Sequence, residues 1–271
     1  MSFYSQEFQH LEVQKNEHLL WLTLDNPQAS NAISLEMVDS LTKVLEHADF
    51  DSDIRVIVLT GKGNVFCAGG DVKEMLEKKG MFQGDANELR MRYIHGIQKI
   101  PMCFEKLSKP VIAMVNGAAI GAGCDLAMMC DIRIGCESSR FGETFVKLGL
   151  IPGDGGAFLL QRVIGYSRAM QMSLTGDLVA GQEAYHWGLM NYFVSAEKLK
   201  VETAALANKI AHNAPVAVQM TKKAIKHAYL SDLTQALDLA ASYQGIAQRT
   251  EDHFLGIEAL LEKKRASFKG I

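Results

Sequence analysis

Apolar and polar residues alternate over residues 8–13 and again over 18–24, on either side of the polar run Gln14-Lys15-Asn16-Glu17. A period of two marks half-buried strands, so the chain is expected to open with a hairpin. Past Asn26-Pro27 the period lengthens: Leu35, Val38, Leu41, Leu45 and Ala48 recur at helical spacing, and Ser34 stands where an N-cap belongs. This predicts an amphipathic helix over 34–48. The run Ile54-Arg55-Val56-Ile57-Val58-Leu59-Thr60 is nearly continuously apolar and ends at Gly61, as a strand buried on both faces does. Strand, helix, strand implies a parallel unit. The unit recurs when a helical stretch over 85–107 leads through Lys109-Pro110 into a strand over 111–115, and again when 124–129 leads into 131–135. From Ser195 onward strand patterns give out, and 199–212, 215–229, 231–248 and 251–264 read as helices. The pattern therefore predicts an α/β core over residues 1–195 and a helical C-terminal subdomain over 196–271.

At 271 residues with 48% hydrophobic positions and five prolines, the chain can bury a large core and is neither disordered nor a small stapled scaffold. The net charge of −3 offers no attraction for phosphate backbones or anionic lipid, which argues against nucleic acid and membrane as partners. No apolar run approaches the roughly 20 residues that span a bilayer, and residues 1–7 lack the basic and apolar regions of a signal peptide, so a cytoplasmic location is expected. Five cysteines without a CxxC pair read as reduced core thiols, and no metal site is expected.

Candidate chemistry gathers at two glycine-rich turns, Phe66-Cys67-Ala68-Gly69-Gly70-Asp71 and the run from Asn116 through Gly121-Ala122-Gly123 to Asp125. Each follows a buried strand and opens a helix. Small residues there let the backbone approach a ligand, and exposed N–H groups at a helix start can hold negative charge. Neither turn is followed by Gly-Lys-Ser/Thr, and neither has the GxGxxG spacing of a dinucleotide fold, so nucleotide phosphate is not the expected ligand.

These turns, together with Asn26-Pro27 through Asn31-Ala32, Cys130-Asp131-Ile132-Arg133, Phe141-Gly142, the segment 148–156, Leu174-Thr175-Gly176, Trp187-Gly188-Leu189 and the closing Glu262-Lys263-Lys264-Arg265, resemble the enoyl-CoA hydratase/isomerase or crotonase superfamily in order and spacing. The resemblance covers nearly the whole chain. It implies a crotonase (ClpP-like) spiral of ββα units with a C-terminal helical trimerisation region, and assembly into a homotrimer or dimer of trimers. It implies an acyl-CoA thioester as substrate, CoA being part of that substrate and no separate cofactor being needed. By position, Gly70 and Ala122 would donate N–H groups to the thioester oxygen, where charge develops when an adjacent proton is removed. The resemblance also places CoA near Ala68, Asp71 and Val72, with Ala29 and Ser30 along the pantetheine, and makes Lys73, Lys263 and Lys264 candidates for the phosphates.

The chain departs from the hydratase pattern at both of its water-holding glutamates. Asp125 stands at the first position and Phe145 at the second, and a phenyl ring neither accepts nor donates a proton. Asp154, within Pro152-Gly153-Asp154-Gly155-Gly156, is an acid the hydratase pattern lacks. Double-bond isomerases of the superfamily carry an acid next to this proline, although one residue earlier. Asp154 is thus the leading proton carrier, with a helix cap as the alternative, and Asp125 and Glu143 are further acidic candidates. Phe145 would line the acyl pocket. Isomerisation of an unsaturated acyl-CoA is the expected reaction, with hydration of 2-enoyl-CoA and a catalytically silent CoA-binding protein as the rivals. RNA binding through the 34–48 helix is disfavoured, because its Lys43 is outnumbered by Glu36, Asp39, Glu46 and Asp49.

Overall fold

The structure, a computed structural model, describes residues 3–271. Its opening hairpin pairs β1 (Leu11–Asn16) antiparallel with β2 (Leu19–Leu24), Leu11 opposite Leu24 and Asn16 opposite Leu19. The hairpin starts later than the alternation suggests, and residues 14–16, expected in the turn, belong to β1 instead. The turn is confined to Glu17 and His18, with Glu17 at φ 50°. Polar residues fit there because β1 is the edge of its sheet and keeps its outer side in solvent.

α1 (Leu35–Phe50) starts at Ser34, whose hydroxyl accepts the Met37 N–H at 3.1 Å. One face of it is entirely buried, with Met37, Val38, Leu41, Val44 and Leu45 against the sheet. β2 then continues into a parallel array with β3 (Val56–Gly61), β5 (Val111–Val115), β7 (Ile132–Gly135) and the short β10 (Tyr192–Phe193). Both faces are covered. Ile57 and Leu59 of β3 join the cluster formed with α1, whereas Val56 and Val58 face Leu199, Ala207 and Ala211 of α9 (Leu199–Ala211). This two-sided burial is why the β3 segment reads as an unbroken apolar run.

Two expectations change. The single helix over 85–107 is two, α3 (Ala86–His95) and α4 (Lys99–Lys106), parted at Gly96. The backbone there doubles back so tightly that any Cβ on Gly96 would press on Arg92 O, so the break requires glycine although the apolar spacing carries on through it. The second change is that the glycine-rich segments are more than turns. They contain β4 (Val65–Cys67) and β6 (Ala118–Ile120), which with β8 (Arg140–Gly142) and β9 (Leu178–Ala180) form a second sheet in the order β4-β6-β8-β9. Helices α2 (Val72–Glu77), α5 (Ala122–Met129), α6 (Gly156–Ile164), α7 (Tyr166–Thr175) and α8 (Gly181–Trp187) complete the ββα pattern.

The C-terminal segment is helical, as expected. Packing changes later than the strand pattern does, because α9 lies against β2, β3, β5 and β7. The helices that stand off are α10 (Pro215–Ala228), α11 (Leu233–Ala247) and α12 (Glu251–Leu261), among which α11 buries no residue. α10 docks through lysines: Lys222 Nζ donates to Lys109 O and to Asp131 Oδ2, both at 2.7 Å, and Lys226 Nζ donates to Phe104 O. All five cysteines are buried free thiols. Among the described residues no helix is long and apolar enough to cross a membrane, and no cluster of metal-ligating side chains occurs.

Candidate active site

Three strands of the second sheet end side by side, and each runs directly into a segment singled out from the sequence. Register places Cys67 of β4 opposite Ala119 of β6, and Ile120 of β6 opposite Gly142 of β8. The next residues are therefore neighbours in space: Ala68-Gly69-Gly70, Gly121-Ala122 and Glu143. The Gly121 N–H donates to Gly142 O at 2.7 Å and locks two of these ends together. Gly69 has φ 89°, and a Cβ there would meet Ile120 O at 2.7 Å and Ala122 N at 3.3 Å, so the two glycine turns touch. A side chain at Gly69 would separate them.

Both expected donors are free to act. Ala122 is the first residue of α5, where an N–H has no intrahelical acceptor, and among the described residues neither its N–H nor that of Gly70 donates to a protein group. The Gly70 turn is held from two sides. Asp71 caps α2, its carboxylate accepting the Lys73 N–H at 2.8 Å and the Glu74 N–H at 3.3 Å. The 26–33 loop is stitched on as well: Ala68 N–H donates to Ser30 O at 3.1 Å and Ile33 N–H to Gly69 O at 2.7 Å. That loop turns through Ser30 and Asn31, both at positive φ, and fully buried Asn31 pins it by donating to Lys62 O and Val65 O. Ala29, Ser30, Ala68 and Asp71 thus border the donor turn, while Val72 and Lys73 lie on the exposed first turn of α2.

Three carboxyls converge beyond the donors. Asp125 from the first turn of α5 is wholly buried, as is Glu143 after β8, and Asp154 is 3% exposed. Five of their six oxygens are sealed from solvent without a hydrogen-bond partner: both of Asp125, both of Glu143 and Oδ1 of Asp154. The sixth, Asp154 Oδ2, is the one not sealed. No lysine, arginine or histidine pairs with any of the three among the described residues. Burial followed by repulsion from Glu143 pushes Asp125 well up from its ordinary value. Burial also pushes up Glu143, and Asp154 is pushed up to about 7 by burial and then by Asp125. Such a group is half ionised near neutrality, the condition under which a carboxylate can both take and return a proton.

The segment bearing Asp154 owes its path to glycine. Gly155, not Asp154, is the N-cap of α6, and Asp154 makes no capping bond, so the cap alternative does not hold. Gly156 carries no side chain because a Cβ there would overlap Asp125 Oδ1. Gly153 lies against the ring of Tyr93, and its carbonyl accepts Gln98 Nε2 at 2.9 Å. Phe145, on the turn after Glu143, lays its ring over Gly121, 3.6 Å from where a Cβ would be, so an apolar surface covers the approach to Ala122.

Lys263 and Lys264 are not joined to this cluster. They sit on the exposed turn after α12, where Lys264 Nζ pairs with Glu262 at 2.9 Å. The tail beyond them returns through Phe268, whose carbonyl accepts Arg55 just before β3, the end of the sheet opposite the glycine turns. Several residues at the site escaped the sequence reading. Tyr93 beside Asp154, and Met75 and Phe82 against Gly70, carry no local signal, since each is brought in by a different helix or loop.

Two touching turns with unpaired backbone N–H groups, together with a buried carboxyl pushed up to about 7, form an arrangement suited to removing a proton next to a carbonyl and holding the resulting oxyanion. A family model described as enoyl-CoA hydratase/isomerase matches residues 14–271. The chain belongs to the enoyl-CoA hydratase/isomerase family. It is 36% identical over 260 residues to the short-chain-enoyl-CoA hydratase of Clostridium acetobutylicum, covering 96% of this chain and 97% of that one. It is likewise 36% identical over 252 residues to the 1,2-epoxyphenylacetyl-CoA isomerase of Escherichia coli, covering 93% and 95%. The solved structure of an enoyl-CoA hydratase from Bacillus anthracis superposes with a TM-score of 0.91 at 33% identity, covering 97% of this chain and all of that one. The protein is thus an enzyme of the crotonase superfamily, and its mixed α/β architecture is that family's. Relatives at comparable identity carry both hydratase and isomerase names, so membership leaves the reaction itself to be argued from the site.

Proposed function

We propose that this enzyme shifts a carbon–carbon double bond in an unsaturated acyl-CoA, interconverting 3-enoyl and 2-enoyl thioesters through an enolate. The observation that carries this reading is that only Asp154, of three buried carboxyls that follow the glycine-rich segments, keeps an oxygen unsealed. The Gly70 and Ala122 N–H groups hold the thioester oxygen as charge builds on it, the second with the help of the α5 helix start. Asp154 takes a proton from C2 of the 3-enoyl thioester and, without leaving the site, returns it to C4. The double bond moves from C3–C4 to C2–C3, and atoms and charge balance with no other reactant. Phe145 keeps the approach apolar and supplies no second acid for water addition. The reading calls for no metal and no cofactor beyond the CoA carried by the substrate.

Hydration of 2-enoyl-CoA is the second reading, favoured by the hydratase names among the relatives and by the two further buried carboxyls, Asp125 and Glu143. Incubation with 2-enoyl-CoA and 3-enoyl-CoA separately, in deuterated water, distinguishes them. Isomerisation yields the other enoyl thioester, with deuterium appearing only where the carried proton exchanges. Accumulation of a 3-hydroxyacyl thioester from 2-enoyl-CoA as the main product would establish hydration instead.

Self-association into a trimer or a dimer of trimers belongs to the same proposal. α11 leaves Leu233, Leu237 and Ile246 exposed, and α12 leaves Phe254, Ile257, Leu260 and Leu261 exposed, apolar positions that an interface between copies would cover. Sedimentation at micromolar concentration tests it, and a species of the chain's own 29.8 kDa would overturn it.

A further inference from the structure

The break between α3 and α4 brings one side chain onto the residue that precedes Asp154. Gln98 is the N-cap of α4. Its backbone N–H donates to Tyr93 O at 3.0 Å, and its Nε2 donates to Gly153 O at 2.9 Å. The Tyr93 ring also lies against Gly153, 3.2 Å from where a Cβ would be. The two residues on either side of the Gly96 break thus hold Gly153 together.

Two hollows meet at the Gln98 bond. The first, of about 530 Å³, lies between α3 and residues 150–153 and is walled by Tyr93, Ile94, Leu150 and Ile151, with Arg90 beside them. The second, of about 660 Å³, lies between α4, the end of α5, the start of α6 and the end of α10, where Pro101, Met102, Met129, Phe158 and Leu230 give it an apolar wall. Both are of the size that small ligands occupy. Gln98 and Gly153 are the two residues that line both hollows, so the hydrogen bond between them is the partition. The charged groups on the second wall are already matched: Lys226 Nζ is 3.2 Å from Glu105, and Asp131 is 2.7 Å from Lys222 Nζ. Hydrocarbon could therefore enter that hollow without displacing water from a lone charge.

We infer that Gln98 sets the length of acyl chain this enzyme accepts: the tail of the thioester runs from Asp154 into the first hollow and is kept out of the second by the Gln98 bond to Gly153. This rests on the reading of Asp154 as the proton carrier for an acyl-CoA. Carbon atoms beyond C4 must leave the carrier along a wall that adjoins it, and Gly153 and Tyr93 supply one. Ile94 and Ile151 stand exposed along that hollow, apolar surface that a methylene chain would cover. Pushing past Gln98 would leave its amide and Gly153 O unpaired beside hydrocarbon, which a longer tail must overcome.

Calorimetry with saturated thioesters from butyryl-CoA to dodecanoyl-CoA tests this in the wild type, Gln98→Ala, Met102→Trp and Gln98→Ala/Met102→Trp. Saturated chains have no double bond to move or hydrate, so the measurement is independent of the reaction. Wild-type affinity should rise by up to about fourfold per methylene and level off within the series. Gln98→Ala should match it for short chains and keep rising beyond that point, so that dodecanoyl-CoA gains about tenfold. Met102 lies one helical turn beyond Gln98 on the same face of α4 and lines the second hollow, so a tryptophan there should cancel the gain. A general loosening of the fold would leave the ratio of long-chain to short-chain affinity unmoved. An unchanged ratio in Gln98→Ala would overturn the proposal, as would a gain that survives the tryptophan. So would weaker long-chain binding in Met102→Trp alone, since the tail would then already occupy the second hollow. A wild-type affinity that climbs through the whole series would overturn it even if no variant folds. If the ratio moves as stated but neither enoyl thioester is isomerised, the role of Gln98 stands and the isomerase reading falls.

Discussion

Two buried polar regions of this molecule treat their charge in opposite ways. Arg133, on β7, is 5% exposed, and its donors are met: Nε reaches Leu189 O at 2.9 Å, one terminal nitrogen reaches Cys130 O at 2.8 Å, and the other reaches Asn191 Oδ1 at 3.4 Å. The carboxyls at the glycine turns are as deeply buried, yet five of their oxygens meet nothing. Burying a polar group costs free energy in both places. At Arg133 the cost is offset by bonds that tie β7 to the segments on either side of it, and the result is a joint. Around Asp154 it is not offset, and the result is a group whose protonation is finely balanced.

The contrast makes its largest prediction at Asp154. Asp154→Asn should lower the isomerisation rate by about 10²–10⁴-fold while leaving acyl-CoA affinity nearly unchanged, and its resistance to urea should not fall, since a charge without partners has been removed. Steady-state kinetics with 3-enoyl-CoA and a denaturation curve check the two halves. Arg133→Met should do the reverse. It strands two carbonyl acceptors in the interior, Leu189 O and Cys130 O, whereas Asn191 Oδ1 keeps the backbone N–H of residue 133, and it should cost about 3 kcal/mol of folding stability, read from urea or thermal unfolding, while kcat of the folded fraction is retained.

The pH dependence of stability sharpens the comparison next. Asp154 is pushed up to about 7 in the folded chain from an ordinary value of 3.8, so the folded state binds the proton more tightly than the unfolded one. Its contribution is therefore fully favourable below about 3.8, is lost as pH rises toward 7, and is flat beyond. Over that window unfolding free energy should decline with pH by at most about 1.4 kcal/mol per unit from this group, and Asp154→Asn should flatten that part of the curve. The smallest effect is expected where a polar group has partners but also meets water. Asp71→Ala removes the α2 cap and should cost about 1 kcal/mol in thermal stability.

Much of the core was legible in the sequence because long apolar runs and helical spacing report burial directly, as at β3 and α1. The second sheet was not, since a three-residue strand such as β6 is too short to show a period. Gly96 was missed because the helical spacing of apolar residues continues across it, while the break depends on a backbone contact with Arg92. At the site, Gly70, Ala122, Asp125, Glu143 and Asp154 could all be named, but their relation could not. Glu143 comes next to Gly121 through the register of β6 against β8, a fact about pairing that no local pattern encodes. Likewise, the turn bearing Lys263 and Lys264 is basic in sequence, but its place depends on how the tail folds back along α12.

The donor turns themselves are made of main chain. Their positions come from strand register, from the bond between Gly121 and Gly142 and from the 26–33 loop stitched to Ala68 and Gly69. A change of side chain at Asp125, Phe145 or Asp154 leaves every one of those bonds in place. On the proposed reading, the capacity to steady an enolate thus comes with the fold, while the side chains proposed to carry the proton can be exchanged one at a time. A point substitution at those positions can therefore change or weaken the proton transfer while the backbone framework of the donor turns stays as it is.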